Sequence, residues 1–222
     1  MKKIAIIVFM IMFSKESFAL RVERIPQPCS VCGHEEEVLM TLSGNSFGAR
    51  MYLDSRIHGP MVPRPHLATC SSCNLVSYNI STPICDRQAE IVNSENYQEI
   101  FKTDGASMAY VHLLKECGRD NEEIASFYLR TAWGEDDKVT GQSVFFRKLA
   151  IPLYEQFSDI ESRLVLLDLY RQTQSFDKAT ELLSNINIPE DNCIMQEVIK
   201  MQRKLIANEN SDPAMLEKDA CK

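Results

Sequence analysis

"PCSVCGHEEE", residues 28–37, carries Cys29 and Cys32 with two residues between them, then Gly33, His34 and three glutamates. A matching pair, Cys70 and Cys73, lies further along in "TCSSCN", residues 69–74. A Cys-x-x-Cys turn brings two thiolates to one ion when backbone amides point at the sulfurs and the chain turns away after the second cysteine. That turning residue is asked for positive φ, which glycine takes freely and asparagine takes at small cost. Gly33 and Asn74 occupy the two positions. The pairs are separated by 37 residues, Gly33 to Thr69, which is long for a minimal ribbon but compatible with an inserted hairpin or loop. Together the four sulfurs offer a closed tetrahedral site of the structural zinc kind, with Cys29, Cys32, Cys70 and Cys73 as ligands. The doubled motif is specific where either half alone is weak.

Energetics point the same way. A segment of about sixty residues with few large aliphatics is marginal without a cross-link or metal, and a structural zinc contributes on the order of 10 kcal/mol of coupled folding free energy. Two other readings stay open. In an oxidising compartment the same cysteines would be staples, Cys29 to Cys70 and Cys32 to Cys73. A catalytic dithiol is the third, although that chemistry usually places a single Cys-x-x-Cys at a helix N-terminus. Catalytic zinc needs an open coordination position, which four cysteines would fill. His34, His58 and His66 therefore read as loop or surface residues, with His34 and His66 as reserve ligands, and Glu35 to Glu37 as a solvated face. "EVLMTLS" from Glu37 and "ARMYLDS" from Ala49 read as strands joined by "GNSFG", and "NLVSYNI" as a third strand of one small antiparallel sheet. The proline-rich "IHGPMVPRPH" is a connecting loop.

Residues 1–19 have two lysines, an apolar run from Ile4 to Phe13 and a polar stretch ending in Ser17-Phe18-Ala19, the plan of a secretory signal. The run falls short of the ~20 residues a membrane helix needs, and Leu20 and Arg21, with no cysteine before Cys29, follow Ala19, where a lipid anchor would need a cysteine. The expectation is export to the periplasm or medium, with no stable membrane anchor after cleavage. The chain holds 24 basic and 31 acidic residues, net −7, and loses a further +2 with Lys2, Lys3, Lys15 and Glu16, leaving −9. Without a basic patch it is a poor ligand for nucleic acid.

Residues 20–82 hold five of the nine prolines and four of the eight glycines, whereas residues 83–222 read as successive helices. Tyr110, Leu113, Leu114 and Cys117 follow helical spacing, Gly118 stands where a C-terminal cap belongs, and Asp120 with Glu123 opens the next helix. Phe127, Leu129 and Trp133 of "ASFYLRTAW" belong inside, Cys117 reads as an inert buried thiol, and Pro152 should kink or start a helix. In "SDIESRLVLLDLYRQTQSFDKATELLSNI", residues 158–186, Ser158 and Glu161 form a capping box. Leu166, Tyr170, Phe176, Ala179 and Leu183 fall at tetratricopeptide (TPR) offsets, and an ordinary helical bundle fits nearly as well. The last helix is expected over about 190–207, with Cys193 and Cys221 either paired or separate.

The order of parts resembles the bacterial domain-of-unknown-function group numbered 2225. The resemblance rests on the two knuckles, the insert with "LDS" and prolines, and "YLRTAW", and spans about residues 27–186. It implies a zinc-ribbon-like segment before TPR-like helices, with metal at Cys29, Cys32, Cys70 and Cys73, and implies no activity. This chain differs in having Asn74 where glycine is usual, in lacking a proline inside the knuckles, and in its export signal.

The expectation is thus an α+β chain: signal 1–19, a zinc-ribbon-like β subdomain 20–82, and an all-α TPR-like domain 83–222. It would serve as an exported, zinc-stabilised protein-binding or scaffolding module, meeting another protein or peptide through its helices. The competing class is a cell-envelope thiol-disulfide oxidoreductase using one Cys-x-x-Cys pair. No triad, phosphate loop or dinucleotide fingerprint is present.

Overall fold

The computed structural model describes residues 20–138, 140–189, 191–217 and 221; the expected signal segment, 1–19, lies outside them. Within these residues the chain is an α+β mix, with short antiparallel hairpins followed by helices. No described helix is long and apolar enough to cross a membrane.

β1 (Arg21–Pro28) and β2 (Glu35–Ser43) pair antiparallel, with Ile25 opposite Val38 and Pro28 opposite Glu35, so the first Cys-x-x-Cys forms the tip of this hairpin. β3 (Arg50–Met51) pairs with β4 (Ile57–His58). β5 (Ala68–Thr69) pairs with β6 (Val76–Ser77), and the second Cys-x-x-Cys is again the tip. The single sheet expected from "EVLMTLS", "ARMYLDS" and "NLVSYNI" does not form: the three hairpins are separate two-stranded sheets, and β2 pairs upstream with β1. Pro26 and Pro28 hide β1 in the sequence, since proline usually argues against a paired strand. In a two-stranded ribbon alternate amides face outward, and prolines two apart share that outer edge at no cost in ladder bonds.

The helices begin at residue 88, as the change of period indicates. α1 (Gln88–Val92), α2 (Glu95–Thr103) and α3 (Ala106–Glu116) pack on one another beside the knuckles, and α3 packs on β6. α4 (Asn121–Lys138), α5 (Ser143–Tyr154), α6 (Ile160–Gln172), α7 (Phe176–Ser184) and α8 (Cys193–Ala207) then pack each on the next. Arg119 N–H reaches back to Leu114 carbonyl past Gly118, and Glu123 N–H bonds Asp120 Oδ1 at 2.8 Å, so that junction is capped as its residues foretell. Three details differ. The cap of α6 is Asp159, which accepts from Ser162 N–H at 2.8 Å, in place of Ser158. α8 starts at Cys193, because Asn192 accepts from Met195 N–H and fixes the boundary there. Pro152 sits inside α5 near its end and starts no new helix.

One continuous apolar core joins the hairpins to the helices, running from Cys29, Val38, Leu75 and Ile80 to Phe127, Leu129 and Leu167. Two buried polar clusters fasten it. Trp133 Nε1 donates to Asp54 Oδ2 at 2.7 Å, which joins the "YLRTAW" helix to the "LDS" turn. Arg147, 2% exposed, lies 4.0 Å from the same carboxylate and makes a bidentate pair with Asp136 at 2.9 and 2.5 Å. In the second cluster Asp168 accepts from Arg171 at 2.7 Å and Gln202 at 2.6 Å. Arg171 Nη1 bonds the carbonyls of Asn210 and Asp212, both at 2.7 Å, and so ties α8 and the tail to α6. The tail continues to β3, where Leu216 N–H bonds Met51 carbonyl.

Cys117 is not a free thiol: it bonds Cys85, with the Cα atoms 5.7 Å apart. The apolar stripe of α3 places Cys117 inward, and the chain just before α1 brings Cys85 against it. Cys193 and Cys221 form a second disulfide, Cα atoms 5.8 Å apart. With a sequence separation of 32, loop-closure entropy gives the Cys85–Cys117 bond a contribution of about 3–4 kcal/mol. The double substitution Cys85→Ala, Cys117→Ala is expected to lower unfolding free energy by that amount in urea titrations.

Candidate metal centre

The two knuckles repeat one backbone pattern. Cys29 N–H donates to His34 carbonyl at 2.8 Å and Gly33 N–H to Cys29 carbonyl at 2.8 Å. Cys70 N–H donates to Leu75 carbonyl at 2.8 Å and Asn74 N–H to Cys70 carbonyl at 2.9 Å. Gly33 has φ +73° and Asn74 φ +61°, the left-handed backbone that the turn asks of both positions. Each hairpin ladder is thereby closed at its tip, leaving two side chains directed off the same turn.

All four sulfurs lie within 4.8 Å of one another. Cys29 Sγ is 3.6 Å from Cys73 Sγ, and Cys32 Sγ is 3.6 Å from Cys70 Sγ. Sulfurs held ~2.3 Å from an ion at the corners of a tetrahedron stand about 3.8 Å apart, whereas a disulfide requires about 2.05 Å. The observed spacing matches the edge of a metal tetrahedron, so this group could hold a metal ion. The closest approaches also cross differently from the expected staples: oxidation would first join Cys29 to Cys73 and Cys32 to Cys70.

The sulfurs sit in unequal surroundings. Cys29 and Cys70 are buried, Cys73 is half-buried and Cys32 is exposed. The backbone N–H of His34 holds the Cys32 thiol down to about 6, aided by hydrogen bonds from Cys70, Cys73 and Ser72. Burial pushes Cys70 and Cys73 up. A dication would counter that rise at Cys70 and Cys73, because its charge favours thiolate at every ligand.

Of the reserve ligands, His34 lies beside the cluster but turns its Nε2 to Ser71 Oγ at 3.2 Å. His66, the other, belongs to the proline-rich loop; His58, not one of them, lies in β4, where its Nδ1 accepts from Arg64 at 2.9 Å. Glu36 is not simply solvated, as its Oε2 accepts Ser71 N–H at 2.8 Å, which holds its carboxyl below the usual range. Glu35 and Glu37 are exposed. His34 and Glu36 thus clasp the second knuckle from the first hairpin.

The helices complete the frame. From α1, Gln88 Nε2 donates to Ser30 Oγ at 2.9 Å. From α2, Gln98 Nε2 donates to Cys73 carbonyl at 3.0 Å while its Oε1 accepts from Asn74 at 2.7 Å. Tyr97 hydroxyl donates to Asn74 carbonyl at 3.0 Å and accepts Val76 N–H at 3.1 Å. Sequence reading missed Gln88, Tyr97 and Gln98, because a polar residue on a short helix reads as solvent-facing until its partner is known.

No protein-family model, curated protein or solved structure matches the chain.

Two outcomes follow from this geometry. Tyr97→Phe leaves the buried Val76 N–H unpaired and is expected to cost about 1–3 kcal/mol in urea unfolding at pH 7. Burial raises the Tyr97 hydroxyl to about 12, so the stabilisation is complete below its ordinary value of about 10 and is lost as pH rises through the higher one. In metal-stripped protein at pH 7, Cys32 is expected to react with iodoacetamide at least tenfold faster than Cys70 or Cys73, read by peptide mass spectrometry. Equal rates would contradict the electrostatics described.

Proposed function

We propose that the chain is an exported module in which a structural zinc ion, bound by Cys29, Cys32, Cys70 and Cys73, fixes a zinc-ribbon-like segment over residues 20–82. That segment braces TPR-like helices over residues 83–222, which present a surface to another protein or peptide. The observation that carries this reading is the pair of 3.6 Å sulfur contacts, set beside disulfides formed by the other four cysteines. Four thiols left unjoined at tetrahedral spacing, in a chain otherwise oxidised, suit a bound ion better than vacant staples. The two disulfides in turn favour an oxidising compartment, in keeping with the export signal. The resemblance to the group numbered 2225 supports the same order of parts.

Zinc in such a site would be redox-inert and would neutralise thiolates while closing both hairpins. Of the chain's own residues, the amide of His34 steadies Cys32, Gln98 orients the carbonyl of Cys73, and Glu36 binds the knuckle backbone at Ser71. A second reading, an envelope thiol-disulfide oxidoreductase, is favoured by one observation, the exposed low-pKa thiol of Cys32. Against it, both cysteine pairs sit at hairpin tips instead of a helix N-terminus.

Protein purified from the exported fraction is expected to contain one zinc per chain by plasma emission spectrometry and four thiols reactive only after chelation. Cys70→Ser should lose both the metal and the cooperative thermal transition. A metal-free protein whose Cys29–Cys32 or Cys70–Cys73 pair cycles with a disulfide substrate would overturn the module in favour of the enzyme.

A further inference from the structure

A cleft of about 650 Å³ opens between the proline-rich loop and α4, within the range of small-ligand sites. Its charge runs against that of the chain. Arg56, Arg64, Arg130 and Lys138 line it against only two carboxylates, Glu135 and Asp137, an excess of two positive charges in a protein of net −7. The carboxylates are already engaged: Asp137 pairs with both Arg56 and Arg64, and Glu135 with Lys138 at 3.1 Å. Arg130 has no ion pair among the described residues and lies 5.7 Å above the ring of Tyr78, another lining residue.

Two further features of the wall add positive potential. The side chain of Arg56 is 8% exposed, and its Nε, though buried, has no hydrogen-bond partner. Ala106 and Ser107, the first residues of α3, also line the cleft. Gly105 supplies no side-chain cap there and the first turn holds no acidic residue, so the first amides of that helix have no side-chain acceptor from its own cap or first turn. Beside these groups Pro63, Pro65, Leu67 and Trp133 offer apolar and aromatic surface.

We infer that this cleft seats an acidic peptide segment of the partner, its carboxylate between Arg130 and the N-terminus of α3, its apolar side chains against Trp133 and the loop prolines. The inference rests on the protein-binding reading above and gives it a location and a ligand chemistry. Basic side chains already balanced by Asp137 and Glu135 would position the segment, while Arg130 supplies the unpaired charge. The rigid loop prolines limit the entropy lost on binding.

Trp133 is the chain's single tryptophan, so its fluorescence reports the cleft directly. The probes are two pools of acetylated, amidated hexapeptides with randomised aliphatic positions, one carrying two glutamates and the other two glutamines. Glutarate serves as a free dicarboxylate. With zinc-loaded full chain, the glutamate pool is expected to shift Trp133 emission saturably and the glutamine pool to leave it unchanged. The apparent Kd should rise at least tenfold in Arg130→Gln and in 0.5 M salt, and stay unchanged in Lys200→Gln. Arg130 is exposed, and an unaltered thermal transition would show that R130Q keeps the fold. Equal response to both pools, or no effect of R130Q, would overturn the cleft as an anion site. Glutarate binding as tightly as the glutamate pool would assign the site to a free dicarboxylate and overturn the peptide. Heat of peptide binding in calorimetry without a Trp133 response would refute the cleft and leave the module standing. Loss of zinc stoichiometry in the same sample would instead strike the module itself.

Discussion

The convergence of four sulfurs is the constraint around which the rest is arranged. Each hairpin tip must turn sharply enough to direct two cysteines to one point, and Gly33 and Asn74 allow this by taking positive φ. The repeated amide-to-carbonyl bonds then hold the two tips in the same shape. Since hairpins of two residues per strand, such as β5 with β6, have almost no ladder of their own, their stability comes from elsewhere. It comes from the shared core, from Tyr97 and Gln98, which bond the backbone of the second knuckle, and from Gln88, which bonds the Ser30 hydroxyl of the first.

Burying charge elsewhere gives the helical half a fixed pose on the hairpins. Arg147 and Asp54 are almost wholly buried, and such groups are tolerable only with their bonds made. Trp133, Asp136 and the backbone of Arg56 supply all but the one at Arg147 Nε, with partners drawn from the hairpin region and from α4. The Asp168–Arg171–Gln202 group does the same for α6, α8 and the tail. A shifted helix would leave a buried charge unpaired in either cluster, which ties the packing to one geometry. The clusters also set α4 beside the proline-rich loop, which creates the cationic cleft.

Much of this was legible in the residues. The period-3.6 patterning located the helices, Asp120 and Gly118 marked a junction, and the doubled Cys-x-x-Cys selected the four sulfurs. Capping residues mistook their register by a single position at Ser158, since Ser158 and Asp159 are both competent caps and only the path of the preceding turn chooses between them. Strand pairing was misread because a hairpin of mostly polar and proline residues carries little alternation, and because the partner of β2 lay upstream. Cys117 read as a buried thiol because its helical position is apolar; nothing local says that Cys85, 32 residues earlier, ends against it.

The sequence alone determined the metal-competent cysteines, the turn residues that aim them, the α+β composition and the acidic charge, since each depends on residue type and short-range spacing. Tertiary structure decided which sulfurs stand opposite one another, which remaining cysteines join, and where the few unbalanced cations collect. Those depend on contacts between residues far apart in the chain, where no local pattern reaches: Asp54 with Trp133, Asn74 with Gln98, and the approach of the proline-rich loop to α4.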